Sequence, residues 1–91
     1  MTEGDIRATV LRLLGDIAPE ADLNAIDPAR RLRDQLDIDS MDVLNFFVVL
    51  DKELHVDVAE ADYPKVSTLN ACVEHVTAAL AGRRRDGGPR A

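Results

Sequence analysis

Residues 40–54 read SMDVLNFFVVLDKEL and hold more apolar side chains than one face of a helix can bury. One set of them follows a helical period and predicts an inward stripe, formed by Phe46, Phe47, Leu50 and Leu54. A second set is spaced i, i+3 and i+7 and predicts an exposed apolar face, formed by Met41, Leu44 and Val48. We expect a helix because the segment is long and begins with a cap signal, although a strand over FFVVL remains an alternative.

Two further segments have the apolar spacing of amphipathic helices. The first covers residues 3–17 after a start signal at Thr2, and its stripe consists of Ile6, Val10, Leu13, Leu14 and Ile17. The last opens after the cap pair Ser67-Thr68, and we expect Gly82 to end it in the left-handed conformation. Its apolar stripe consists of Leu69, Cys72, Val73, Val76 and Leu80.

A long segment and a short one connect these helices. Residues 18–38 contain two prolines and no sustained period, which predicts a long loop. Four apolar residues are spaced to anchor this loop to the helices: Leu23, Ile26, Leu32 and Leu36. Residues 56–66 are closed by Pro64 and have room for one or two helical turns. We therefore predict an all-α domain over residues 1–82, with three main helices, one short helix and a long loop between helices 1 and 2.

The charge is unevenly distributed along the chain, whose formal net charge is −6. Residues 1–81 hold 16 acidic and 7 basic side chains, a net −9, whereas residues 83–91 carry a net +3. An acidic body repels phosphate backbones and anionic lipid and attracts basic surfaces. We therefore expect protein partners with basic patches, no nucleic acid and no membrane insertion. The Arg- and Gly-rich residues 83–91 are expected to be a disordered tail.

Size and cysteine content limit the possible classes of function. A chain of 91 residues is too small to enclose a large catalytic cleft, so we expect a monomer whose chemistry is completed by larger enzymes. The single cysteine, Cys72, excludes an intramolecular disulfide. We expect neither a signal segment nor a membrane span, and hence a cytoplasmic location.

The junction between the long loop and the helix that begins at Ser40 is a candidate site of modification. In LDIDSMD, residues 36–42, Asp39 is placed to cap the helix and Ser40 to occupy its first position. A hydroxyl there lies beside unpaired backbone N–H groups and the positive end of the helix dipole, which favour a phosphate ester by about 0.3–1 kcal/mol. Asp and Ser also begin many unmodified helices, so the spacing alone leaves both interpretations open.

These residues resemble the attachment motif of acyl carrier proteins, whose usual form is Leu-Gly-x-Asp-Ser-Leu-x. The resemblance extends over roughly residues 5–81. It includes, around the motif, Asp27-Pro28, the run LRDQL at 32–36, the run LDKEL at 50–54 and the run VSTL at 66–69.

The resemblance implies a four-helix acyl-carrier-like bundle and a carrier function without catalytic activity. Ser40 would receive a 4′-phosphopantetheine arm from a phosphopantetheinyl transferase that uses coenzyme A and magnesium, with Asp39 beside the attachment point. The thiol of the arm would hold acyl or aminoacyl groups as thioesters for loading ligases, synthases and transferases. The bundle interior would shelter part of the acyl chain.

The helix that begins at Ser40 is the recognition element implied by the resemblance. We expect the partner-binding surface to combine an apolar strip with polar neighbours, namely Met41, Leu44 and Val48 with Asp39, Asp42, Asn45 and Asp51. Weak, electrostatically steered docking would let such a carrier exchange partners rapidly.

Four positions depart from the family pattern, of which Met41 in place of leucine is a minor, volume-conserving change. Asp37 stands where glycine is usual, which places a negative charge and a more restricted backbone next to Ser40. Asn45 and Lys52 stand where carriers of fatty-acid synthesis are usually acidic. These differences favour a specialised carrier, for a modified lipid, a secondary metabolite or an aminoacyl group, over the general fatty-acid carrier.

The residues disfavour several other functions. A calcium loop beginning at Asp37 lacks suitable residues at three of its positions, and Cys72 with His75 supplies too few ligands for zinc, so no metal site is expected. A hydrolase pairing Ser40 with His55 or His75 lacks the GxSxG context. The main alternative is an unmodified acidic helical adaptor that binds a basic partner through the helix that begins at Ser40.

Overall fold

The computed structural model describes residues 2–82, together with the backbone of the last helix beyond them. The helices are α1 (Glu3–Ile17), α2 (Leu32–Gln35), α3 (Ser40–Leu54) and α4 (Leu69–Arg90), with two 3₁₀ helices, η1 (Leu23–Ala25) and η2 (Glu60–Val66). Extended pairing within residues 2–82 is limited to one isolated bridge between Arg31 and Thr68. The predicted all-α class is therefore confirmed. The side chains of residues 83–91, the predicted disordered tail, lie outside the described residues.

Helices α1 and α3 have the bounds that the sequence predicts. α1 begins with a capping box, in which the Asp5 amide donates to Thr2 Oγ1 at 3.1 Å and the Thr2 amide donates to Asp5 Oδ2 at 3.1 Å. The hydrogen bond from the Thr2 amide lowers the pKa of Asp5 below its ordinary value. α3 includes all of FFVVL, so the strand alternative is wrong. Two faces of one helix, one buried and one exposed, account for its continuous apolar run.

The core lies between α1, α3 and α4, and α1 packs against both of the other helices. These three helices bury the side chains of Ile6, Val10, Leu13 and Leu14, of Phe46, Phe47, Leu50 and Leu54, and of Leu69, Cys72, Val73 and Val76. Burial of each large aliphatic or aromatic side chain stabilises the fold by about 1.5–3 kcal/mol. An exposed ion pair between Arg12 and Glu53, at 3.2 Å, also joins α1 to α3 but contributes at most about 1 kcal/mol.

The segment 18–38 is more ordered than the long loop that we predict. It contains η1, capped by Asp22, which accepts from the Asn24 amide at 3.1 Å, and the single turn of α2. The prediction is wrong here because elements of three or four residues are too short to show a period. All four predicted anchors are confirmed as part of the core or packed against it: Leu32 and Leu36 are buried, and Leu23 and Ile26 are half-buried.

Gln35 organises the turn that precedes α2. Its Oε1 accepts from the Asp27 amide at 2.8 Å, and its Nε2 donates to the carbonyls of Asp27 at 2.8 Å and Arg30 at 3.1 Å. The same segment is tied to the start of α4 by a hydrogen bond from the Leu32 amide to the Ser67 carbonyl, at 2.8 Å. These bonds fix the path of the chain just ahead of Ser40.

Two predicted helix ends are wrong. η2 is the predicted short helix, but it continues through Pro64 to Val66. Proline has no backbone N–H to donate, and the segment is held instead by burial of Val66 and by stacking of Tyr63 on Phe47. α4 continues past Gly82, which has no positive φ, because glycine permits the left-handed conformation without requiring it.

The left-handed cap belongs to α3 instead. His55 ends this helix with φ 56° and ψ 39°, and its amide donates to the Asp51 carbonyl at 2.7 Å. The exposed histidine therefore closes the end of α3 that lies farthest from Ser40.

Substitution of Gln35 by alanine is expected to lower the free energy of unfolding by about 2 kcal/mol, because three hydrogen bonds to the loop backbone are lost. Urea unfolding followed by circular dichroism measures the change. Asn24→Ala is the matched control, since this exposed amide side chain forms no hydrogen bond within residues 2–82. Equal midpoints for the two variants would contradict the assigned role of Gln35.

Candidate functional site

Ser40 is the first residue of α3, and its side chain is exposed. One capping box, formed by Asp39 before Ser40 and Asp42 after it, holds the helix start. The Asp42 amide donates to Asp39 Oδ1 at 2.9 Å, and the Asp39 amide donates to Asp42 Oδ2 at 3.1 Å. The predicted cap at Asp39 is therefore confirmed. Because the carboxylates of Asp39 and Asp42 both accept backbone hydrogen bonds, the Ser40 hydroxyl lies on a rigid helix start rather than on a free loop.

The four residues that lead into Ser40 are also fixed. The Leu36 amide donates to the Leu32 carbonyl at 2.8 Å, and the Ile38 amide donates to the Leu36 carbonyl at 3.0 Å. Leu36 is buried and Ile38 packs against the core, so the chain is held on both sides of Asp37. Asp37 lies at the centre of this tight turn without a positive φ. The backbone therefore accommodates a side chain where the family pattern usually has glycine.

Opposing electrostatic effects act on the Ser40 hydroxyl. The free N–H groups of the first helical turn and the helix dipole favour an anion at this position. The acidic residues Asp37, Asp39 and Asp42 lie on both sides of Ser40 in the chain, and their negative charges disfavour an anion there. Because the Asp39 and Asp42 carboxylates already accept backbone hydrogen bonds, part of their charge is stabilised by the helix start itself.

Ser40 lies on a groove with a volume of about 750 Å³. α2, the first half of α3 and η2 form its walls, and Leu14 and Ile17 of α1 also line it. Phe47 and Tyr63 line one part of the groove as stacked rings, with centroids 4.3 Å apart and planes inclined by 21°. The lining is mainly apolar, so the groove is suited to an alkyl or other apolar group attached near Ser40.

The residues that line the groove could not be identified from the sequence alone. The family resemblance implied shelter inside the bundle but assigned no residues to it. Tyr63 was overlooked; the available signal was a large, mainly apolar ring in an otherwise polar segment, and only the structure shows that it stacks on Phe47. Only the packing of η2 against α3 shows that both elements line one groove.

The predicted exposed face of α3 is confirmed as an exposed surface. Met41, Leu44 and Val48 are 61%, 38% and 44% exposed, and they are the large apolar side chains on the surface of the described chain. Among the predicted polar neighbours, Asn45 and Asp51 are exposed on α3, Asp39 is exposed at its cap, and Asp42 is half-buried. We call Met41, Leu44 and Val48 the apolar strip.

Other reactive groups do not gather around Ser40. His55 follows the opposite end of α3, about 22 Å away along a helix of 15 residues. Cys72 is buried in the core, and desolvation raises the pKa of its thiol to about 12. Within residues 2–82, no group of three His, Cys, Asp or Glu side chains is arranged to hold a metal ion.

The described part of the chain contains no helix that could cross a membrane. Each of its helices is either too short or too polar to cross a bilayer.

The residues around Ser40 fit a covalently attached arm. The hydroxyl is exposed on a rigid helix start, and the neighbouring groove provides space for a group carried on that arm. Comparison with protein families supports the same assignment. The family model described as "Phosphopantetheine attachment site" matches residues 5–76, which include all of η1, α2, α3 and η2, most of α1 and the start of α4.

A search of curated proteins found no match to the chain. The family match covers most of its length and includes the whole helix-start site. The chain therefore belongs to the phosphopantetheine attachment-site family, a family of carrier proteins with covalently bound 4′-phosphopantetheine.

Proposed function

We propose that Ser40 is the attachment point of the arm and that the protein is a non-catalytic carrier of acyl or aminoacyl groups. The observation that carries the proposal is the exposed Ser40 hydroxyl at the first position of α3, inside the matched region and beside the groove. Ser67, the other serine of the chain, is half-buried outside the capping box of α3. Accessibility therefore favours Ser40 as the modified residue.

The arm supplies a thiol on which acyl groups are held as thioesters. The chain's own contribution is to present this arm from a fixed point. Asp39 and Asp42 hold the first turn of α3, and α3 itself is anchored through Phe47 and Leu50 in the core. A rigid base and a flexible arm together raise the local concentration of cargo at a docked enzyme.

The apolar strip is the proposed docking surface for those enzymes. Its three side chains follow Ser40 along the exposed face of α3, and Asp42 and Asp51 place negative charge beside them. An acidic rim steers the carrier towards basic patches on a transferase, ligase or synthase. The small apolar area favours transient contacts, which a carrier serving several enzymes requires.

We place this carrier in a specialised lipid or secondary-metabolite pathway, in the cytoplasm, as a monomer. Asn45 and Lys52 support the specialised role, because both are exposed on α3 where a general fatty-acid carrier is usually acidic. The face is therefore less anionic than that of a general carrier, which selects for partners with a different charge pattern.

A second candidate is an unmodified adaptor that binds a basic partner through the same apolar strip. The exposure of Met41, Leu44 and Val48 favours docking in either case. The two functions differ in whether Ser40 is modified, and the mass of the protein decides between them.

Incubation with coenzyme A, magnesium and a broad-specificity phosphopantetheinyl transferase is expected to add one phosphopantetheine mass to the protein. Ser40→Ala is expected to abolish the addition, and intact-mass spectrometry measures it. Ser67→Ala is the matched control, because it removes the other serine hydroxyl on the same groove and should leave modification unchanged. An unmodified, folded wild-type protein would favour the adaptor.

The arm should provide the reactive thiol of the folded protein. Cys72 is 1% exposed, and burial raises the pKa of its thiol to about 12, so the thiol stays protonated and unreactive at pH 7. We expect a maleimide to leave the folded apo-protein unlabelled and to label the modified protein once, as measured by mass. Modified Cys72→Ala should still be labelled once. Rapid labelling of the apo-protein would contradict the buried position of Cys72.

Substitution of Val48 by glutamate is expected to lower kcat/KM of the transferase for this protein about tenfold, roughly 1.4 kcal/mol, because a charge enters an apolar contact. Initial rates of arm transfer measure the effect. Ala78→Glu, an exposed position on α4, is the control with the same net charge. Equal rates for both variants, with unchanged circular dichroism, would exclude the apolar strip as the transferase contact.

A further inference from the structure

The groove beside Ser40 has two cations on its lining, Arg31 and Arg33, both in the segment around α2. They differ in their partners. Arg31 Nε is 3.0 Å from Asp34 Oδ2, and the two side chains form an ion pair. Arg33 is exposed and forms no ion pair or side-chain hydrogen bond within residues 2–82. Arg33 is therefore the lining cation whose charge is available for a further group.

A cation of this kind would stabilise an anion attached to Ser40. Asp37, Asp39 and Asp42 place three negative charges around the attachment point, so a phosphodiester there is subject to repulsion. The dipole of α3 offsets only part of this repulsion, since its effect at an exposed helix start is small. A guanidinium group fits two phosphate oxygens at once and binds them with charge-assisted hydrogen bonds.

We propose, on the basis of attachment at Ser40, that Arg33 binds the phosphodiester of the arm and thereby directs the arm along the groove. Arg33 is a positioning residue in this proposal. Arg30 is also an exposed cation of the same segment, but it does not line the groove. Arg31 lines the groove, but its guanidinium is already bound to Asp34. Of these three arginines, Arg33 is the one that both lines the groove and has no ion-pair partner within residues 2–82.

Phosphorus NMR of the modified protein without cargo tests this inference on the phosphodiester itself. The reference is a synthetic phosphopantetheinylated peptide of residues 36–44, which lacks Arg33. We expect the wild-type resonance to differ from that of the peptide, to be broader, and to move towards it as added salt shortens the Debye length from about 30 to 3 Å. Arg33→Gln is expected to move the resonance at low salt towards the chemical shift of the peptide and to reduce its salt dependence, and Arg33→Lys to give an intermediate shift.

Arg30→Gln is the matched control, because it removes the same charge from an exposed position off the groove. Its resonance should remain that of the wild type. The inference is overturned if wild type and Arg33→Gln give the same shift, width and salt dependence, or if Arg30→Gln has an equal effect. Intact mass is measured first on each sample. Failure to modify Ser40 overturns the proposed function as well, whereas identical spectra from modified proteins overturn only the role of Arg33.

Discussion

Burial of the inner stripe of α3 against α1 is the constraint on which the position of Ser40 depends. Phe46, Phe47, Leu50 and Leu54 cannot be buried unless this face of the helix turns inward. Once it does, the helical period leaves Met41, Leu44 and Val48 on the outside and Ser40 at the exposed end. The apolar strip and the exposed position of Ser40, the proposed attachment point, are thus consequences of the same packing that stabilises the fold.

A second set of contacts determines what lies beside Ser40. Gln35 closes the turn before α2, and the Leu32 amide binds the Ser67 carbonyl at the start of α4. These bonds hold α2 across from η2, whose Tyr63 stacks on Phe47. The groove exists because three segments that are distant in sequence meet there. Its lining is mainly apolar, with arginine side chains from the segment around α2.

The predictions from sequence succeeded where a pattern was long enough to repeat. α1 and α3 span four helical turns each, and their bounds follow from cap residues and apolar spacing. The prediction was wrong for η1 and α2, which are too short to show a period, and for Gly82, where glycine permits a turn that the chain does not make. The left-handed residue is His55 instead, a residue for which that conformation is uncommon.

The sequence by itself determined the all-α class, the rigid helix start at Ser40 and the two-faced character of α3, because each depends on neighbours within one or two helical turns. It also contained the motif by which the family is identified. Only the tertiary structure decided the groove, the stacking of Tyr63 on Phe47 and the different surroundings of Arg31 and Arg33. These features arise from contacts between separate segments, and side-chain spacing along one segment carries no information about the other.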